Sequence, residues 1–129
     1  METNRRTAIC GIACALLLTF PILAHHSTGL FDQSQVISQV GTVNEVEWIN
    51  PHTWLHVDVA DENGNVARWS FEGGSPRQLI PLGWSVDDLP PGTEITVGFR
   101  PMRDGSRGGQ LMSVTLPDGR QLCSNRGCG

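Results

Sequence analysis

The sequence contains no lysine and no tyrosine, and nine arginines stand against thirteen acidic residues. Because no basic cluster or basic amphipathic pattern is present, the composition argues against a protein that binds nucleic acid or anionic lipid. The four tryptophans and four phenylalanines are the large aromatic residues available for a core. No apolar run approaches the ~20 residues that a transmembrane helix needs, so we expect no membrane insertion of the processed chain.

The motifs of common enzyme classes are also missing. The chain has no nucleophilic-serine elbow, no His-Glu-x-x-His run and no glycine-rich phosphate loop. Two same-face groupings on predicted strands, Glu45 with Glu47 and His56 with Asp58, fit a solvated strand face better than a catalytic pair. We therefore expect a protein that is not an enzyme.

The first 24 residues have the pattern of a secretory signal peptide. Arg5 and Arg6 precede an apolar run from residue 8 to residue 20, and the small Ala24 stands at the expected cleavage position. An uncleaved membrane anchor is the alternative, and the shortness of the apolar run argues against it. Cleavage after Ala24 leaves a single domain of residues 25–129, which we expect to be periplasmic or secreted.

Cysteine usage agrees with export. Cys10 and Cys14 lie in the leader, so Cys123 and Cys128 remain in the processed chain. Two thiolates are too few for a structural metal site, and an oxidising compartment allows a disulfide to persist. We interpret the pair as a short disulfide loop or, alternatively, as two free thiols in a loose tail.

The processed chain shows the alternation of β-strands. Leu55, Val57 and Val59 share one face of a strand, with polar residues and Trp on the other. In residues 36–48 the inward face switches once, as a β-bulge produces, and Gly41 is a natural place for that strand to bend. A long, bent first strand is a feature of small barrels.

Further short strands follow at regular spacing. They are predicted at residues 66–72, 93–100, 110–116 and 120–123. Ser75 as N-cap and Pro76 at the first helical position predict one short helix between the third and fourth strands. The pattern favours an all-β fold, a five- to six-stranded barrel like the oligonucleotide/oligosaccharide-binding (OB) fold.

Several short motifs resemble those of a bacterial family of small exported proteins of unknown function. The matching blocks are Ala24-His25-His26-Ser27, Gly41-Thr42-Val43, Val46 to Trp54 with its Trp-Ile-Asn-Pro-His core, Gly74-Ser75-Pro76, Gly83-Trp84 and Pro91-Gly92. The resemblance covers nearly the whole processed chain and implies export and a small β-rich fold. It implies no activity.

The new N-terminus suggests a copper site. If cleavage follows Ala24, the α-amine and the ring of His25 can chelate one metal ion, and nitrogen donors in a planar set favour Cu(II). A third nitrogen comes from His26 or from His52, which lies at a strand corner. The alternative interpretation is a solvated chain end.

A second hypothesis places a ligand on the barrel surface. Trp54 and His56 share the outward face of one strand, and residues 102–109 form a predicted flexible loop that carries three charged side chains. On this hypothesis the protein binds a small ligand or an envelope protein through Trp54, His56 and that loop. A third hypothesis is that the protein is an accessory subunit of an envelope complex.

Overall fold

The computed structural model describes residues 29–125 and Cys128, and its regular structure is almost entirely β. The predicted signal peptide, His25 and His26 lie outside the described residues. The elements in chain order are β1 Ile37–Glu47, β2 Trp54–Ala60, β3 Val66–Glu72, α1 Pro76–Leu79, β4 Glu94–Pro101, β5 Gly108–Thr115 and β6 Gln121–Cys123. None of the helices in this part of the chain is long and apolar enough to cross a membrane.

Five strands form a closed barrel. The hydrogen-bonded order is β3-β2-β1-β4-β5-β6, and β3 also pairs with β5, which closes the sheet on itself. This closing pair is parallel and only three residues long, from Ser70–Gly108 to Glu72–Gln110. β6 is an additional strand that pairs with β5 outside the closed ring. The prediction of a small all-β barrel with one short helix between strands 3 and 4 is confirmed.

The first strand, β1, pairs with two neighbouring strands. Its first half pairs with β4 and its second half with β2. The register with β2 shifts between Val43 and Glu45, so the predicted change of inward face occurs at Asn44, beyond Gly41. Gly41 instead permits a close approach, because a Cβ there would lie 2.5 Å from Val57 Cγ1 and 2.8 Å from the Asp58 carbonyl oxygen.

The segment between β3 and β4 begins with the predicted helix. The Ser75 backbone N–H donates to Gln78 Oε1 over 2.9 Å, which satisfies one of the free N–H groups at the helix start. The α-helix is only four residues long. It ends at Leu79 and continues as a 3₁₀ turn over Ile80–Leu82 because Pro81 has no N–H for an α-helical bond.

The core is filled by the inward side chains of the strands and by aromatic rings. Phe71 and Phe99 are fully buried, with ring centroids 4.8 Å apart, and Trp69 packs edge-on against Phe99 at 6.0 Å. Trp84 is 3% exposed, and its Nε1 donates to the Cys123 carbonyl over 2.8 Å. That bond ties the β3–β4 segment to β6, where Cys123 forms a disulfide with Cys128.

The chain enters the barrel beside the β4–β5 loop. Phe31 is 2% exposed and forms a bridge with Met102, and Arg103 donates to the carbonyls of both Leu30 and Phe31. The side chain of Leu30 is exposed, so Phe31 provides the buried anchor at this point. The loop is shorter than the predicted 102–109 segment, because Gly108 and Gly109 already belong to β5.

We expect Gly41→Ala to destabilise the fold by about 1–3 kcal/mol, the usual cost of forcing an extra carbon into a packed contact. Gly29→Ala is the matched control, because a Cβ at Gly29 meets no atom within 4 Å. Urea unfolding followed by tryptophan fluorescence measures both variants. Equal unfolding free energies for the two would contradict a required close approach of β1 and β2.

The part of the chain that enters the barrel also predicts that the free energy of unfolding depends on pH. Hydrogen bonds from the Ser34 hydroxyl, the Ser34 N–H and Gln35 Nε2 lower the pKa of Asp32 from 3.8 to about 2. The stability that these bonds contribute is therefore present above pH 3.8 and is lost as the pH falls towards 2.

Asp32→Asn should accordingly reduce the loss of unfolding free energy between pH 4 and pH 2 relative to the unmodified protein. Urea unfolding at a series of pH values tests this, and Glu62→Gln controls for the loss of one exposed negative charge. An identical pH dependence in Asp32→Asn and the parent would show that the carboxylate does not contribute.

Candidate functional site

The outward side chains of β2 and β3 form a mixed polar and aromatic surface, here called the β2–β3 face. It consists of three cross-strand pairs, Trp54–Glu72, His56–Ser70 and Asp58–Arg68. These residues point outwards because the alternating apolar residues of both strands fill the core. At one end of the face Arg68 Nε donates to Asp58 Oδ1 over 3.0 Å, and this bond lowers the pKa of Asp58.

The other end of the β2–β3 face meets the corner between β1 and β2. This corner contains the cis peptide bond Asn50–Pro51, followed by His52. The Nδ1 atom of His52 lies 3.2 Å from the Gly73 carbonyl oxygen and 3.1 Å from Glu72 Oε1. Since both neighbours are acceptors, Nδ1 donates, and in the neutral imidazole Nε2 keeps its lone pair. The imidazole is 43% exposed, so solvent and ligands can reach it.

A cavity of about 250 Å³, here called the His52 cavity, opens beside this corner. Its wall includes Phe31, His52, Glu72, Gln78, Gln110 and Ser124. The wall is polar apart from Phe31 and Leu111. Phe31 brings the entering chain to the same cavity as the corner histidine.

A second cavity of about 200 Å³, the Trp54 cavity, lies between the β2–β3 face and the β4–β5 loop. Its wall includes Leu30, Phe31, Trp54, Glu72, Met102 and Arg107, together with Ser70. Trp54 and the 102–109 segment, which are predicted to form one ligand surface, line one cavity. Phe31 and Glu72 belong to both cavities, so the two are neighbours on the barrel surface.

His56 lies beside the Trp54 cavity and not on its wall. Its Nε2 is 2.7 Å from Glu47 Oε1, and its Nδ1 is 2.9 Å from Ser70 Oγ. His56 therefore joins three adjacent strands by a hydrogen-bonded chain, Glu47–His56–Ser70, whose last member reaches the cavity. The imidazole is only 18% exposed, which differs from the solvated strand face suggested by the sequence.

Sequence reasoning did not anticipate Ser70 or Glu72 as site residues. Both lie on the outward face of β3, and the alternation of β3 was visible in the sequence. Their contacts with His56 and His52 depend on the register between β2 and β3. The hydrophobic pattern within one strand does not determine that register.

Only one of the three proposed metal ligands lies within the described residues. His52 is described, whereas His25 and His26 lie outside the described residues. Among residues 29–125 and Cys128, no group of three or more His, Cys, Asp or Glu side chains is close enough together to hold a metal ion. His52 supplies one donor, its Nε2, because its Nδ1 lies against Gly73 O and Glu72 Oε1, and a complete site would need donors from elsewhere.

Comparison with known proteins identifies the family of this chain. The chain matches no curated protein and no solved structure. One family model matches residues 14–112, which is most of the chain. The protein belongs to a family of unknown function, DUF6152.

Proposed function

We propose that the protein is an exported binding module that takes up a small ligand in the Trp54 cavity and performs no reaction on it. The observation that carries this proposal is the joint lining of one cavity by Trp54 of β2 and by Met102, Ser106 and Arg107 of the β4–β5 loop. The leader sequence and the Cys123–Cys128 disulfide support export to an oxidising compartment.

The position of the cavity also fits its fold. In barrels of the OB type, ligands bind on the face of strands 2 and 3 and are flanked by the β1–β2 and β4–β5 loops. Here that face carries a partly exposed indole, a histidine-bonded hydroxyl and an arginine from the flanking loop. The cavity is smaller than the roughly 300–1,000 Å³ of sites for drug-sized molecules, so the ligand should be small.

The test is a titration of residues 25–129 followed by ¹⁵N NMR, with benzyl alcohol, cellobiose and leucine as three separate probes. At least one probe should shift the Trp54 indole N–H and the amides of Ser106 and Arg107. Trp54→Ala should weaken that binding at least about fivefold, since an aromatic contact contributes about 0.5–1.5 kcal/mol beyond its buried area. Trp54→Phe is the matched control, because it keeps an aromatic face.

The binding proposal fails if none of the three probes shifts these resonances, or if the shifts centre on another surface. Loss of binding in Trp54→Ala but not in Trp54→Phe supports a contact made by the ring. A folded spectrum for both variants shows that the barrel is intact.

Copper capture at the His52 cavity is a second candidate, and the hydrogen bonding of His52 favours it. Histidine ligands usually donate their other ring N–H to a carbonyl or carboxylate, which fixes the tautomer and the ring orientation. The Nδ1 of His52 has Gly73 O and Glu72 Oε1 as such partners, so Nε2 is the atom available to a metal.

The other nitrogen donors of this candidate site would come from the chain that enters the barrel. Phe31 anchors it at the wall of the His52 cavity, and an extended chain from His25 to Phe31 spans up to about 20 Å. On this proposal the α-amine and imidazole of His25 chelate Cu(II), and His52 or His26 completes the nitrogen set.

Cu(II) titration of the processed chain tests the chelate. An additional N-terminal Met should weaken Cu(II) binding at least about tenfold, because it removes the amine of His25 from the chelate. His52→Ala should weaken it by a similar factor, whereas His56→Ala should not. Equal affinity in the native and Met-extended chains would exclude this candidate, and mass spectrometry of the exported protein identifies its first residue.

A further inference from the structure

We propose that residues 36–40, here called the β1 edge, form an interface through which two copies of the protein pair as an antiparallel dimer. This inference does not depend on either cavity and goes beyond the proposed binding function. It follows from three features of the segment: a backbone edge without a neighbouring strand, exposed apolar side chains, and the absence of charge.

The first half of β1 has no strand on one of its sides within the part of the chain that the structure describes. Residues 37–42 pair with β4, whereas β2 pairs with β1 only from Thr42 onwards. Beyond the Thr42–Asp58 pair, β2 continues to Ala60 and pairs with β3 alone. The side of β1 that lies opposite β4 is therefore open to another strand over residues 37–41.

The peptide groups of Ser38 and Val40 face this open side. The Val43 N–H donates to the Thr93 carbonyl over 2.8 Å, so the peptide groups of Val43 face β4. Because the direction of bonding alternates along an antiparallel strand, those of Ser38 and Val40 point away from β4. The Val40 carbonyl accepts from the side-chain amide of Gln39 over 3.1 Å, an exposed contact that the N–H of an incoming strand can replace.

Exposed apolar side chains accompany this open backbone. Val36, Ile37 and Val40 are 47%, 41% and 53% exposed. They are three of the eight large apolar side chains that are exposed among the described residues, so apolar surface is concentrated on this short segment. Edge strands that stay unpaired are commonly protected by lysine, other charges or proline, and residues 33–44 contain none of these. The β1 edge thus lacks the usual protection against pairing.

The lack of charge favours a second copy as the partner. A two-fold axis places a strand beside its own copy, so a charged side chain near the axis would meet a like charge. Residues 33–44 contain no charged side chain, and the residues of β4 that pair with residues 37–40 are uncharged as well. Self-pairing of the β1 edge is therefore free of like-charge repulsion.

The bonding pattern selects the register of the dimer. Since Ser38 and Val40 present their peptide groups to the open side, hydrogen-bonded pairs across the axis join even-numbered residues. An axis at Ser38 places Ser38 opposite its own copy and Val36 opposite Val40, twice. This register covers the exposed valines and stops before Thr42, where β2 already occupies that side. Two five-residue edges bury less than the roughly 1,200 Å² of stable complexes, so the dimer is weak and reversible.

Sedimentation velocity of residues 25–129 over about a hundredfold range of concentration tests the dimer, with EDTA present to exclude bridging by a metal. The parent protein should show a reversible monomer–dimer equilibrium. Ser38→Lys should weaken the dimer at least about fivefold, because it places two like charges directly opposite each other. Val40→Lys should have a similar effect. Val66→Lys is the matched control, because it replaces an exposed valine of β3 outside the β1 edge, and it should have none.

Cross-linking tests the register. With the axis at Ser38, the two Cα atoms of this residue lie about 5.5 Å apart, a separation that a disulfide can span. Ser38→Cys should therefore give a covalent dimer on a non-reducing gel. Thr42→Cys lies on the same strand face four residues further along and should not.

Hydrogen exchange of the Ser38 and Val40 amides identifies what covers the β1 edge. In the proposed dimer their protection rises with protein concentration. Full protection of these amides in the monomer would show that other residues of the same chain cover the edge, and would overturn the proposal. A monomer at every concentration would also overturn it, as would a dimer of equal strength in the parent, Ser38→Lys and Val40→Lys. None of these results would affect the binding function of the Trp54 cavity, which has its own test.

Discussion

The barrel depends on a three-residue contact between β3 and β5, and Gly108 makes that contact possible. A Cβ on Gly108 would overlap the Ser70 carbonyl of β3. Without a side chain at this position the two backbones approach closely enough for the parallel pairing that closes the ring. On the other edge of β5, a Cβ on Gly109 would overlap the Arg100 carbonyl of β4, so Gly109 permits the close approach of β4 and β5. The contact between β3 and β5 also seats the β4–β5 loop over the β2–β3 face, because it places Arg107 directly beside Ser70. Closure of the fold and formation of the Trp54 cavity are therefore one structural event.

Features that depend on local chemistry could be read from the sequence. The alternation of Leu55, Val57 and Val59 identified the buried face of β2, since side chains alternate along a strand. The Asn63-Gly64 pair is typical of a tight hairpin turn, and Gly64 has a φ of 81° between β2 and β3. The sequence also placed Trp54 and residues 102–109 on one surface, and Trp54, Met102, Ser106 and Arg107 line one cavity.

Features that depend on register between distant strands could not be read in this way. Gly108 and Gly109 were assigned to a flexible loop, because nothing local distinguishes a loop glycine from one at a close backbone approach. β5 is buried on both faces, since the adjacent Met112 and Ser113 are 4% and 8% exposed. The contacts of His56 with Glu47 and Ser70 likewise arise only when β1, β2 and β3 are aligned.

The two cavities are not independent, because Phe31 and Glu72 line both of them. A divalent cation bound by His52 would lie close to Glu72 and would attract its negative charge. A change in the position or charge of Glu72 caused by one ligand would therefore reach the wall of the other cavity. Linkage requires the reverse effect to be equal, so a ligand in the Trp54 cavity would change metal affinity at His52 by the same factor. The shared wall thus couples the two proposed sites, although their cavities are distinct.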